Sequence, residues 1–225
     1  MKLLALDTTE DACSAALLID DGIIERFEVA PRRHSELVLP MMDGLLREAD
    51  LAPGALDAIG FAAGPGSFTG VRIATAIAQG AAFGVGLPLV PVSSLQALAQ
   101  GAARRLGVER VLAALDARMH EVYWGSYVAA ENGLVQSVID DCVVAPDQVP
   151  VPLEGDWVGA GSGWASYREV LVRRFPGVVE VDAGARIQAQ DIARLAAAKY
   201  AAGESVSAEQ ARPVYLRDQV AWAKP

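Results

Sequence analysis

The tetrapeptide Gly64-Pro65-Gly66-Ser67 joins an apolar run, Asp57 to Ala63, to an Ala- and Gly-rich segment, Ile73 to Gly84. The pattern predicts a buried strand, a tight turn and a helix whose first N–H groups Ser67 caps. Pro65 fixes φ, and the flanking glycines permit positive φ or a close backbone approach. A helix N-terminus behind such a turn suits an anion, so phosphate binding is one reading and a ligand-free β–α connection is the other. Two more loops carry groups suited to a phosphate. Asp7-Thr8-Thr9-Glu10 follows the apolar run 2–6, and Asp116-Ala117-Arg118 follows Val111 to Leu115. A third, Gly159-Ala160-Gly161-Ser162-Gly163, reads as a glycine-rich turn between a strand and a helix.

Other chemistries lack their residues. His34 and His120 are the two histidines and lie far apart, so local spacing makes no metal pair. There is no His-Glu-x-x-His, no Gly-x-Ser-x-Gly and no Cys–His pair, and Ser67 has no base near it in sequence. Cys13 and Cys142 match no ligand spacing; Cys13 sits in an apolar run as a small core residue, and the pair suits a reducing compartment. No catalytic residue and no metal ligand is assigned.

The elements that must position these loops follow from periodicity. Strands are expected at 2–6, 12–19 and 22–29, the last two joined by Asp20-Asp21-Gly22. A helix follows His34-Ser35-Glu36 and runs to Ala49, starting or bending at Pro40. After the Gly-Pro-Gly turn and its helix come a strand at Leu87–Val92 and a helix at Ser94–Arg105, giving βββαβαβα. Val111–Asp116 then echoes Lys2–Asp7, since both are apolar and end in Ala-Leu-Asp. Further strands are expected at 121–128, 134–138, 157–161 and 178–181, with helices at 166–175 and 191–202. The echo suggests a duplicated unit and two lobes, 1–106 and 107–225, the C-terminal tail being free to return to the first.

The chain has 225 residues, a net charge of −9 and 52% apolar residues. It can bury a proper core, and its charge is a poor match for a polyphosphate backbone. Residues 73–103 carry no charge but are cut by Pro88 and Pro91, which fits helix, strand and helix better than a membrane span. The N-terminal apolar stretch is too short for a signal peptide, so a cytoplasmic location is expected. Helix 35–49 is apolar on more than one side, through Val38, Met42, Leu45 and Ala49 and beside them Leu37 and Met41. The next helix has Gly70, Gly80 and Gly84 for close approach, with Ile73 and Ile77 as a further stripe. Leu37, Met41, Leu45, Ile73 and Ile77 are candidate contacts for a partner; complete burial of both helices in the lobe is the alternative.

Taken together, Leu4 to Thr9, Arg33-His34-Ser35-Glu36, Gly64 to Ile73, Leu115-Asp116-Ala117-Arg118 with Glu121-Val122-Tyr123, and Arg212-Pro213-Val214-Tyr215-Leu216-Arg217 resemble the bacterial TsaB (YeaZ) family. The resemblance implies a two-lobed α/β fold of the actin, Hsp70 and sugar-kinase type with duplicated βββαβα units. In that fold Asp7 and Asp116 would face a cleft and serve the phosphates of ATP, with Thr8, Thr9 and Gly161 beside them. Here that set is degenerate. The first loop has no glycine and adds Glu10, and the second has Arg118 where a glycine pair should turn. No ATPase activity is expected from the chain alone, and no cofactor beyond a nucleotide at a subunit boundary. The resemblance further implies a non-catalytic subunit. It would bind and activate TsaD, which moves a threonylcarbamoyl group from its adenylate to adenosine in tRNA. Two helices of the first lobe would make a four-helix contact with TsaD, or a homodimer without it. The small ATPase TsaE would join the assembly, and tRNA would be met only through it. The rival reading is an ATP-dependent kinase or hydrolase of the same fold using Asp7 and Asp116.

Overall fold

The computed structural model describes residues 1–152 and 155–217. In the first half, β1 (Lys2–Asp7), β2 (Ala12–Ile19) and β3 (Gly22–Val29) form a meander. They are followed by α1 (His34–Glu48), β4 (Ala58–Gly64), α2 (Phe68–Val85), β5 (Leu89–Ser93) and α3 (Ser94–Leu106). The second half repeats the scheme with β6 (Arg110–Arg118), β7 (Glu121–Ala129), β8 (Val135–Val144), β9 (Trp157–Ala160), α4 (Ser162–Arg174), β10 (Val178–Asp182) and α5 (Ala189–Ala201).

The two sheets have matching strand orders, β3-β2-β1-β4-β5 and β8-β7-β6-β9-β10. In each, the first strand pairs antiparallel with the second and parallel with the fourth: Leu4 lies opposite Leu17 and Ile59, and Val111 opposite Tyr127 and Val158. The duplication expected from the Ala-Leu-Asp echo is therefore present in the topology. It is incomplete at one place, because a 3-10 turn at Pro146–Gln148 stands where the first half has α1. Pro146, Pro150 and Pro152 deny that segment the N–H groups a helix needs.

Alternation along the central strands sorts side chains into layers. Leu3 and Ala5 face a core shared with α3 and α5, while Leu4 and Leu6 face one shared with α1 and α2. In β6, Val111, Ala113 and Leu115 join the shared core, and Leu112 and Ala114 pack toward α4. The order is α1/α2, first sheet, α5 with α3, second sheet, α4. The two central helices are exchanged: α3 from the first half packs on β6, β7 and β8, and α5 from the second half packs on β1, β2 and β4. The chain after α5 returns to the first sheet, where Val206 bridges Leu89 and the Val214 N–H donates to the Ala63 carbonyl at 2.7 Å.

Three boundaries differ from expectation. β8 continues to Val144, since the Asp140-Asp141 pair is no turn: the Tyr127 hydroxyl donates to Asp141, as does that of Ser93 at 2.5 Å. α4 begins at Ser162 rather than Ser166, with a break in helical geometry at Tyr167. Its glycines serve packing, because a Cβ on Gly163 would lie 2.8 Å from the Ala114 Cβ. α1 runs unbroken through Pro40. Among the described residues no helix is long and apolar enough to cross a membrane.

Candidate functional site

β1 ends at Asp7, and the loop that follows is wedged against the N-terminus of α2. The Ser67 N–H donates to the Thr9 carbonyl at 2.8 Å, and the Thr8 hydroxyl donates to the Gly70 carbonyl at 2.7 Å. The approach is close enough to require glycine. A Cβ on Gly66 would meet the Thr9 oxygen at 2.7 Å, and one on Gly70 the Thr8 oxygen at 2.2 Å. Gly64, with φ +117°, lets the returning chain pass, its Cβ position lying 2.6 Å from the Val214 oxygen. Ser67 caps α2 as expected, accepting from the Gly70 N–H at 3.1 Å. Thus two N–H groups of the turn that reads as an anion site, those of Ser67 and Gly70, are taken by the protein's own oxygens.

The rest of the phosphate-like set is similarly engaged. Asp7 is fully buried, and its Oδ1 accepts from the Thr9 N–H at 3.0 Å and the Thr9 hydroxyl at 2.6 Å. Its Oδ2 has no hydrogen-bond partner among the described residues. Asp116 accepts from the Arg118 N–H at 2.8 Å, the Arg118 guanidinium at 3.1 Å and the Ser166 hydroxyl at 3.3 Å. The β6–β7 connection turns without glycine, through Arg118, Met119 and His120, all in the left-handed region. Gly161 has φ +106°, and a Cβ there would lie 2.5 Å from the Ala114 oxygen, so this glycine fits α4 to β6. Among the described residues no three His, Cys, Asp or Glu side chains are grouped to hold a metal.

Sequence reasoning missed two contacts of this loop. Glu10, seen there only as an adverse charge, accepts from the Ser162 hydroxyl at 3.0 Å. Asp11 is held by the Arg186 guanidinium at 3.0 Å. No sequence signal pairs residues 152 and 175 positions apart.

Burial pushes the Asp7 carboxyl up to about 6, against its bonds from Thr9, and the Glu10 carboxyl up to about 7, against its bond from Ser162. Both folded values lie above the unfolded ones. The folded chain therefore holds more protons through that window, and stability falls as pH rises across it. The melting temperature is expected to be higher near pH 5.5 than near pH 8, and Asp7→Asn should raise it near pH 8 and flatten the dependence. Calorimetry of the two proteins across that range checks this; an Asp7→Asn chain that melts lower near pH 8 would refute it.

The helices expected to meet a partner divide unequally. Leu45 is 1% exposed and sealed in the core beneath α1, which corrects the expectation for it; Met41, 9% exposed, packs mostly into the same core and reaches the surface only at a groove it borders with Leu37 and Pro40. Helix α1 uses a wider apolar stripe against its own sheet than the minimum, and its outer face carries Glu36, Asp43, Arg47 and Glu48 around Leu39. Leu37, Ile73 and Ile77 are half-buried. Nor is α2 sealed in the lobe. Phe83 is 72% exposed and Phe68 64%, Gly80 and Gly84 are open, and Arg72 is the one charge in 18 residues. The other flank of α2 is covered by the returning chain, where Gln79 donates to the Ala208 and Ala211 carbonyls at 2.9 and 3.2 Å. At its N-terminus the Arg72 guanidinium lies 3.2 Å from the Phe68 ring centre and 5.0 Å from that of Tyr215.

Comparison with known proteins gives a consistent set of relatives. Residues 26–224 match the family model described as TsaD, tRNA N6-adenosine threonylcarbamoyltransferase. The tRNA threonylcarbamoyladenosine biosynthesis protein TsaB of Escherichia coli (strain K12) is 42% identical over 228 residues, covering 100% of this chain and 98% of that protein. The Haemophilus influenzae protein of the same name is 38% identical, covering 100% of this chain and 97% of that one. Among solved structures, YeaZ from Pseudomonas aeruginosa superposes with a TM-score of 0.91 at 48% identity, covering 96% of this chain and 99% of that one.

Proposed function

The chain belongs to the TsaB (YeaZ) family of tRNA threonylcarbamoyladenosine biosynthesis proteins, with the two-lobed kinase-like fold, and from that footing we propose that it is a non-catalytic subunit that binds and activates TsaD. The observation that carries this reading is the exposed face of α2. It is uncharged from Ile73 to Val85 in a chain of net charge −9, is lined by small residues, and ends in an exposed Phe83. Gly80 and Gly84 let another helix approach closely, and Phe83, Ile73 and Ile77 supply apolar area that such contact would remove from water. The degenerate cleft supports the non-catalytic part: Thr8, Thr9 and Asp116 spend their hydrogen-bonding groups within the protein. The chain then acts by favouring one conformation of TsaD, a population shift. In the same proposal two copies pair through this face when TsaD is absent, TsaE joins the assembly, and tRNA is met only through it, in the cytoplasm.

The test is reconstitution. Purified TsaD should be captured by this chain, and modification of tRNA by TsaD and TsaE should depend on adding it. Titration with Mg·ATP should show no turnover by the chain alone. Modification that proceeds equally without it, or ATP turnover lost in Asp7→Asn, would replace the proposal with an enzyme of the same fold.

A further inference from the structure

Three helices and the segment leading to a fourth reach the short loop Asp7–Asp11, and its polar groups are divided among them. Thr8 bonds the Gly70 carbonyl in α2, and Thr9 accepts from the Ser67 N–H at the α2 cap through its carbonyl. The Ser94 hydroxyl, at the first residue of α3, donates to the Thr9 hydroxyl at 3.4 Å. Glu10 accepts from Ser162 at the first residue of α4, and Asp11 holds Arg186 in the segment leading to α5. Ser162 continues the chain, its oxygen accepting from the Asp116 N–H at 3.0 Å. Glu10, Ser162 and Asp116 therefore tie the end of β1 to the end of β6, the two equivalent points of the duplicated fold.

A ligand seated between two lobes holds them in one arrangement by touching both. Here the groups that touch both belong to the chain itself. We infer that the Asp7–Asp11 loop is an internal cross-link between the two halves, and that through Thr8 and Thr9 it couples closure of the cleft to the placement of the first turn of α2. Glu10 is the positioning residue that joins the second half to this unit. Its charged neighbours pull in both directions: Asp7 and Asp11 on its own loop oppose its negative charge, while Arg118 from the second sheet and Arg186 from the α5 approach favour it, with Tyr123 nearby. Any consequence for TsaD binding rests on the reading of α2 given above; the coupling does not.

Amide hydrogen exchange on the full-length chain tests it. Glu10→Ala should speed exchange about tenfold at residues 161–166 and also at 65–72, while the centre of α1 and strand β8 keep their protection. Ser162→Ala, which cuts the same bond from the other side, should give the same two-site pattern. Glu10→Gln keeps an acceptor oxygen and should retain the parent's protection at both sites. Melting curves establish that each variant is folded. Acceleration confined to 161–166, or a different pattern in the two cutting variants, would overturn the coupling. If protection at 65–72 falls while TsaD capture is undiminished, the cross-link stands and the assignment of α2 as the partner surface is refuted.

Discussion

Gly80→Arg is expected to abolish capture of TsaD and pairing between copies while leaving the monomer at least as stable as the parent. Gly80 lies about two-thirds of the way along α2 on its open side, and a Cβ built there meets nothing within 4 Å. The substitution thus forces no rearrangement in the monomer. It removes a glycine from a helix interior, which by itself favours the helix by about 0.7–1 kcal/mol. In a close helix pair the same position would receive a long charged side chain. An unpaired charge at the centre of such an interface costs roughly 3–5 kcal/mol, about a hundredfold to a few thousandfold in affinity. The two effects have opposite signs, which makes the variant more telling than a core substitution such as Met41→Glu, where lost binding and lost folding coincide. Phe83→Glu should act in the same direction, since that ring is 72% exposed and anchors no core. Calorimetry gives the monomer's stability, and titration against TsaD gives the affinity. Unimpaired binding by the Gly80→Arg chain would remove α2 from the interface.

Much of the fold was readable because its signals are local. Strict apolar runs ending in Asp7 and Asp116, the Asp20-Asp21-Gly22 turn, and the Gly-Pro-Gly cap of α2 are each set within a few residues. The strand order follows once the two runs are recognised as equivalent. What escaped is non-local. The Glu10–Ser162 and Asp11–Arg186 contacts join residues far apart in the chain, and a carboxylate next to a phosphate-like loop reads as repulsion unless its hydroxyl partner is known. Gly161 and Gly163 read as a loop because glycine is the same letter whether it serves a ligand or lets Ala114 approach. The facing of α1 escaped for another reason: Met41 and Leu45 belong to a stripe wider than one lobe needs, and composition cannot say which edge of such a stripe is covered. The exchange of α3 and α5 between the sheets had no signal at all, since each helix is simply amphipathic or Ala-rich.

That exchange yields the largest effect on folding. Residues 1–106 and 107–225, made as separate chains, should each fail to fold, although each contains a complete five-stranded sheet. Without the second half, the first sheet loses α5 and leaves Leu3, Ala5, Ala16, Leu18 and Ala58 facing water. Without the first half, the second sheet loses α3 and bares Val111, Ala113 and Leu115. The fit is intimate: a Cβ on Gly60 in β4 would lie 2.8 Å from the Ala196 Cβ of α5. Each large side chain so exposed forfeits about 1.5–3 kcal/mol, and two of them together with the alanines beside them are comparable to the total stability of an ordinary domain, about 5–15 kcal/mol. An ion pair fastens the exchanged helices to each other. Arg104 of α3 donates to Asp191 of α5 at 2.8 and 3.0 Å, and Asp191 is wholly buried. Arg104→Ala in the intact chain strands that carboxylate and should cost about 3 kcal/mol. The fragments, unstructured alone by circular dichroism, should recover a single cooperative transition when mixed, and Arg104→Ala in the first should lower its midpoint. A fragment that melts cooperatively by itself would show that the two sheets are independent domains and that the shared core between them is a docking surface.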